Sequence, residues 1–353
     1  MYQLKQIPGD FVVKEIPQLD FQEKRAPRGK YLYFQLRKKN KNTLEAVQSL
    51  ARAWSIPEKC IGFAGSKDKR AVTEQVCSVL CAGREKFMQK KIMETEIKDM
   101  HLIFLGFGNT PISLGDLQGN AFEIVIRNLE DQEIPRFVSF IPNYFDEQRF
   151  GKENIALGKF LLKKIFSEVV NILKNGQCKE NYRCKEYLPQ HPHDYVGALK
   201  TVPLRLLRLY LNAYQSYLWN ETLAGFLRGK SSVATEISYS QGKFIFSKDI
   251  FPELEIPIVG FDYARKKNEK TEEIIASLMQ KEEITPEDFI IKQIPQLTLE
   301  GEMRKAFVEV KELMIGNAEE DEFHVEKKKV KVSFALPKGS YATMVIRAMM
   351  TST

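Results

Sequence analysis

The spacing of apolar residues changes period twice along this chain, and that change limits the folds open to it. Near the N-terminus the pattern has period two, as half-buried strands do. In Tyr31 to Arg37, Tyr31, Tyr33 and Gln35 lie on one face and Leu32, Phe34 and Leu36 on the other. In Phe122 to Leu129, Phe122, Ile124 and Ile126 share the face opposite Glu123, Val125 and Arg127. A helix is expected between these strands, with Thr43 as N-cap and Leu44, Val47, Leu50, Ala51 and Trp54 as its apolar stripe. From Ile155 to Leu173 the period turns helical, and Pro203 to Phe226 reads as a longer helix with Gly229 past its end. Shorter helices are expected around Glu272–Gln280 and Pro286–Lys292. Strand patterning returns at about Leu297 and includes Val330 to Leu336. The order predicts an α+β protein. A mixed or antiparallel sheet domain is built from both chain ends, residues 1–150 and 297–353, and a mainly helical domain, residues 151–296, is inserted into it.

Charge narrows the choice of partner. Residues 1–100 carry 20 Lys+Arg against 12 Asp+Glu, a balance of +8, whereas the whole chain sums to +7. A basic N-terminal region suits a polyanion, because each cation set against a phosphate releases counterions. Cations interleaved with aromatics, as in Lys30-Tyr31-Leu32-Tyr33-Phe34-Gln35-Leu36-Arg37-Lys38-Lys39, favour nucleic acid over a merely solvated face. The five cysteines, Cys60, Cys77, Cys81, Cys178 and Cys184, form no C-x-x-C pair, and no secretory signal core precedes them. His191-Pro192-His193-Asp194 has no second ligand cluster to make a metal site, and a solvated loop is expected there. No apolar run is long enough to span a bilayer. A cytoplasmic, soluble monomer with no membrane association, no obligatory protein partner, no cofactor and no metal is the expectation.

The segment Gly62-Phe63-Ala64-Gly65-Ser66-Lys67-Asp68-Lys69-Arg70 crowds one carboxylate with cations. Such neighbours favour the ionised form that a nucleophile requires. Gly65-Ser66-Lys67 lacks the G-x-x-x-x-G-K-[ST] spacing of a phosphate loop. Gly119-Asn120-Ala121-Phe122 opens a strand, where Phe122 is either core packing or a platform for an unstacked base. Pro142 to Gly151 is aromatic-rich between turn residues and reads as a hinge or a substrate surface. Gly339-Ser340 reads as a stop between a strand and a helix.

Together and in this order these segments resemble the TruD family of tRNA pseudouridine synthases. Phe63 to Gln75 resembles the family signature, Asp10-Phe11-Val12-Val13-Lys14-Glu15 its N-terminal element, and Lys39-Asn40-Lys41-Asn42-Thr43 the element before its first helix. Gly119 to Phe122, Pro142 to Gly151 and Gly339-Ser340-Tyr341-Ala342-Thr343 match further landmarks, and Asn212 to Asn220 resembles the long helix of the inserted TRUD domain. Ser66 stands where the family commonly has Leu or Gln, and Ala348 where an acidic residue often follows the last Arg. The resemblance implies isomerisation of a tRNA uridine, at position 13 in the D-stem region, to pseudouridine without a cofactor. It implies Asp68 as the nucleophile, attacking C1′ or abstracting the C2′ proton. It implies Phe122 stacking on the uracil, Asn120 contacting it, Phe11 and Tyr341 lining the pocket, and Lys67 and Lys5 supplying positive charge. The inserted domain is expected to grip the tRNA body. A non-catalytic RNA-binding or RNA-folding protein is the alternative reading.

Overall fold

A computed structural model describes residues 2–18, 28–175, 182–263 and 268–351. In chain order the elements are β1 Phe11–Pro17, β2 Tyr31–Lys39, α1 Thr43–Trp54, β3 Ile61–Phe63, β4 Val72–Leu80, α2 Glu85–Glu94, β5 Met100–Gly108 and β6 Leu117–Leu129. Then come β7 Phe140–Pro142, α3 Asn154–Leu162, α4 Phe166–Asn175, α5 Tyr182–Tyr187, α6 Tyr195–Lys200 and α7 Leu204–Lys230. The chain continues with β8 Ala234–Tyr239, β9 Gly242–Ser247, β10 Glu255–Ile258, α8 Glu272–Glu282, β11 Glu302–Lys305, β12 Phe307–Glu309, β13 Lys311–Glu320, β14 Lys328–Pro337 and α9 Ala342–Met349. The chain divides into two compact units, Met1–Ser139 with Glu309–Met350, and Phe140–Val308.

The first unit is built on a sheet ordered β13-β14-β6-β1-β4-β2-β5, with β3 paired to β4 beside that row. β1 runs parallel to β4 and the other pairings are antiparallel, so the sheet is mixed. Its ends of sequence meet at its middle: Phe122 of β6 faces Val13 of β1 on one side and Phe334 of β14 on the other. The alternation in β2 has a clear outcome. Leu32, Phe34 and Leu36 are sealed against α1, with Trp54 edge-on to Phe34 at 5.4 Å. Tyr33, on the opposite face, is buried with Ala64, Val76, Ile112 and Leu117.

The N-cap of α1 is Asn42, not Thr43. Asn42 Oδ1 accepts the Glu45 amide at 2.8 Å, and the Glu45 carboxylate accepts the Asn42 amide at 3.0 Å. That reciprocal box satisfies two amides at once, which Thr43 would not do. Thr43 is thereby released for a second task described below.

The second unit packs α3 against α7, and α4 against α3 and α6, over a core that includes Leu161, Val169, Leu211 and Leu218. Gly158 lets α3 approach α7 closely, since a Cβ there would lie 2.3 Å from the Tyr210 carbonyl. Instead of one helix from Ile155 to Leu173, the chain breaks after Leu162. Lys164 adopts φ +58, its amide donates to Leu161 O at 3.2 Å, and the Ile165 amide donates to Phe160 O at 2.9 Å. This is a Schellman end, with a lysine in the left-handed position that glycine usually takes. Around Pro286 a single 3-10 turn, Pro286–Phe289, stands in place of the expected helix, closed by a Thr285–Asp288 capping box. α7 runs through Gly229 to Lys230 rather than ending before it. In the Asn212–Asn220 segment of α7, the Asn220 amide clamps the backbone of Phe145, accepting its N–H at 2.9 Å and donating to its C=O at 2.8 Å. His191 stacks on Tyr187 at 4.4 Å, and Asp194 caps α6 by accepting the Gly197 amide at 2.8 Å. Cys178 lies outside the described residues.

Candidate active site

Asp68 sits in the loop from Ala64 to Ala71, between β3 and β4. A loop near a core leaves peptide groups to be satisfied, and here three buried side chains and a neighbouring loop do so. Thr43 Oγ1 accepts the Lys67 amide at 2.9 Å and donates to Gln75 Oε1 at 2.9 Å. Gln75 Nε2 then donates to the Gly65 carbonyl at 3.1 Å. Lys38, only 1% exposed, donates from Nζ to the carbonyls of Lys41 at 2.5 Å, Asp68 at 3.1 Å and Lys67 at 3.5 Å. Ala64 O accepts the Gly115 amide at 2.8 Å from the loop between β5 and β6. The nucleophile candidate therefore rides on a backbone held from below by Lys38, Thr43 and Gln75. Burial lowers the Lys38 pKa from 10.5 to about 8, and the charge of Asp68 opposes part of that fall.

The cations of the signature do not converge on Asp68 as their order in sequence suggests. Lys67 Nζ turns inward and pairs with Glu15 Oε2 at 2.5 Å, both side chains almost fully buried. Lys69 pairs with Glu45 at 2.9 Å. The partner of Asp68 is Lys5, whose Nζ donates to Oδ2 at 2.6 Å from 63 residues upstream. Lys5 is held in the left-handed region at φ +56, and its ammonium also sits 4.1 Å from the centre of the Phe11 ring. Lys67 and Asp68 therefore face opposite sides of the loop, the first 6% and the second 47% exposed.

Phe11, Phe122 and Phe334 form a buried aromatic row on one face of the sheet, with centroids 6.2 and 5.5 Å apart in that order. Two residues before Phe122 on the same face, Asn120 is registered between Glu15 and Leu336. Its Oδ1 is buried without a hydrogen-bond partner, and so is Ser340 Oγ. Unsatisfied buried acceptors are costly and mark places where a ligand group can complete the set. Tyr341 immediately precedes α9, four residues after Pro337, whose register partner is Gly119. Lys5 thus touches both Asp68 and Phe11, Phe122 joins them through Phe11, and Asn120 stands in register beside Glu15, the partner of Lys67.

Reading the sequence did not single out Lys38, Glu15, Thr43 or Gln75 as parts of this site. Lys38 stands in an Arg-Lys-Lys run that reads as surface charge. Its position opposite Thr73 in β4 is what turns it inward.

A family model for tRNA pseudouridine synthase D (TruD) matches residues 2–185, 174–250 and 232–349. The chain belongs to the TruD family. Members are tRNA pseudouridine synthases, which are isomerases. The tRNA pseudouridine synthase D of Aquifex aeolicus is 32% identical over 99% of this chain and 98% of its own length. A probable tRNA pseudouridine synthase D of Methanococcus maripaludis is 29% identical over 96% of both. The fold matches the crystal structure of a putative TruD from Methanosarcina mazei, with a TM-score of 0.68 and 24% identity over 99% of this chain and 94% of that one. The TruD chain described here holds no helix, among the described residues, long and apolar enough to cross a membrane.

Proposed function

We propose that this TruD chain converts a paired uridine in the D-stem region of tRNA, position 13, to pseudouridine, with Asp68 as the nucleophile. One contrast carries the assignment. Glu15 is 1% exposed and tied to Lys67, whereas Asp68, beside it in the fold, is 47% exposed and tied to a cation near the surface. That exposure supports Asp68, rather than Glu15, as the carboxylate that meets a ribose. Lys5 sets a positive charge 2.6 Å from Asp68 and covers it on one side.

The reaction conserves atoms and electrons. The N1–C1′ bond breaks, the uracil turns, C5 bonds to C1′, and the C5 proton moves to N1 by way of a base and solvent. Asp68 either attacks C1′, giving an ester that is later displaced by C5, or removes the C2′ proton to give a glycal that is re-protonated when C5 adds. Phe11 and Phe122 supply an apolar floor for the detached base, and the open Asn120 Oδ1 accepts from a uracil N–H. Tyr341 and Lys67 complete the pocket, Lys67 by holding Glu15 neutralised beneath it. Residues 151–296 grip the tRNA body through backbone contacts.

The test is incubation with an unmodified tRNA transcript, with pseudouridine mapped by carbodiimide adduct. Asp68→Asn is expected to abolish the product and leave tRNA affinity within a few-fold of the parent. Product formed by Asp68→Asn at the parent rate would refute the assignment, and binding without product by the parent chain would favour a non-catalytic RNA-binding role.

A further inference from the structure

The loop between β5 and β6 presents an apolar side chain where a turn would ordinarily carry a polar one. Leu114 is 75% exposed at the tip of the turn Ser113-Leu114-Gly115-Asp116. That turn is rigidly built. Asp116 N donates to Ser113 O at 3.1 Å, the Asp116 carboxylate accepts the Ser113 amide at 2.7 Å, and Gly115 takes φ +97, which places Leu114 at the outward corner. Its base is anchored as well. Ser78 Oγ accepts the Ile112 amide at 2.9 Å, and Tyr33 Oη donates to Thr110 O at 2.6 Å. A single exposed leucine is unremarkable on a surface. This one is fixed in place on both sides by the candidate site: the Gly115 amide bonds to Ala64 O, four residues before Asp68, and the Gly115 carbonyl accepts Lys338 Nζ at 3.1 Å, three residues before Tyr341. Four residues span at most about 14 Å, so the turn is tied to the backbone within that reach of Asp68.

We propose that Leu114 is a wedge: when the tRNA docks, its side chain enters the stem at the step the target uridine leaves and fills the gap in the stack. This rests on the proposed reaction at Asp68. The stem resists extrusion because unpairing and unstacking cost free energy, and an apolar wedge offsets that cost by packing on the exposed faces of the neighbouring bases. Lys338, exposed and using one donor on Gly115, keeps two more for the adjoining phosphate. The turn's hydrogen bonds keep Leu114 from folding away, so no ordering cost falls due on binding.

Two transcripts separate a wedge from a merely structural residue, one with the target uridine paired and one with an abasic residue opposite it, so that the uridine is already loose. Leu114→Ala is expected to slow single-turnover pseudouridine formation in the paired RNA by roughly tenfold or more. On the abasic RNA it is expected to stay within about twofold of the parent, and Leu114→Met is expected to retain most of the rate on both. In an Asp68→Asn background, 2-aminopurine next to the target is expected to brighten on binding and to lose that response when Leu114→Ala is added. Equal rates for parent and Leu114→Ala on the paired RNA would overturn the wedge, as would equal slowing on both RNAs. A parent chain that converts neither RNA, with no brightening in either background, overturns the underlying reaction and the wedge together. A parent that is active, with Leu114→Ala indistinguishable from it, overturns the wedge alone.

Discussion

Lys5 Nζ lies 2.6 Å from Asp68 Oδ2 and 4.1 Å from the centre of the Phe11 ring, so one cation joins the candidate nucleophile to the candidate base platform. Lys5→Met is expected to lower the single-turnover rate by roughly ten- to a hundredfold, the range of a lost charge-assisted contact, with a smaller change in KM. Lys5→Arg is expected to recover part of it. An unchanged rate in Lys5→Met would remove Lys5 from the site.

Lys38 holds the loop from inside. Its folded pKa, about 8, is below its ordinary 10.5 because of burial. Between those values the unfolded chain keeps the proton longer than the folded one, so stability rises with pH across that window. The destabilising charge is fully present below about pH 8 and relieved towards 10.5. Relative to Lys38→Met, the parent is expected to gain about 1–2 kcal/mol between about pH 7.5 and 10, read from urea midpoints. Parallel pH curves would show that Lys38 does not titrate there.

Glu15 and Lys67 are a sealed pair beneath the loop. Removing one partner leaves a buried charge alone. Glu15→Gln is expected to cost about 3–5 kcal/mol, and the double change Glu15→Gln with Lys67→Met to recover a good part of that. Thermal melts of these two variants and of Lys67→Met alone decide it. Additive losses would mean that the two side chains do not act as a pair.

Arg127 of β6 binds Asp10 at 2.9 Å and Asp321 at 2.8 Å, with Phe323 stacked on its guanidinium at 4.6 Å. Burial alone would raise the Asp321 carboxyl, but bonds from the Asn128 and Phe323 amides, His324 and Arg127 bring it down to about 2. Its contribution is present above about pH 4 and is lost as pH falls towards 2. Arg127→Leu is expected to destabilise by about 3–5 kcal/mol at neutral pH. The penalty should shrink on acidification, when the stranded carboxylates take up protons. A penalty that does not change between pH 7 and pH 3 would show that charge is not its source.

Much of the scaffold was legible from residue order. The period-two stretches became β2, β6 and β14, and the helical middle became helices, because burial of one face acts on every residue in an element. Single-residue events escaped that reading. The break at Lys164 carries no glycine, and Asn42 and Thr43 can both cap a helix, their roles being divided by what each side chain meets. Lys67 and Asp68 show the same limit at the site. Adjacent in sequence, they serve opposite faces of the loop, and the cation that does meet Asp68 comes from residue 5. No local pattern records a partner 63 positions away.

β6 and β14 are neighbours in space, yet the strand that completes the sheet is made about two hundred residues after the strand it joins. During synthesis the whole of Phe140–Val308 can fold as a contiguous piece while β6 waits with Phe122, Ile124 and Ile126 uncovered. Slow or stalled translation between those points would prolong an open, sticky edge. Conditions that delay the ribosome should therefore lower the yield of soluble protein more than they lower the stability of molecules already made.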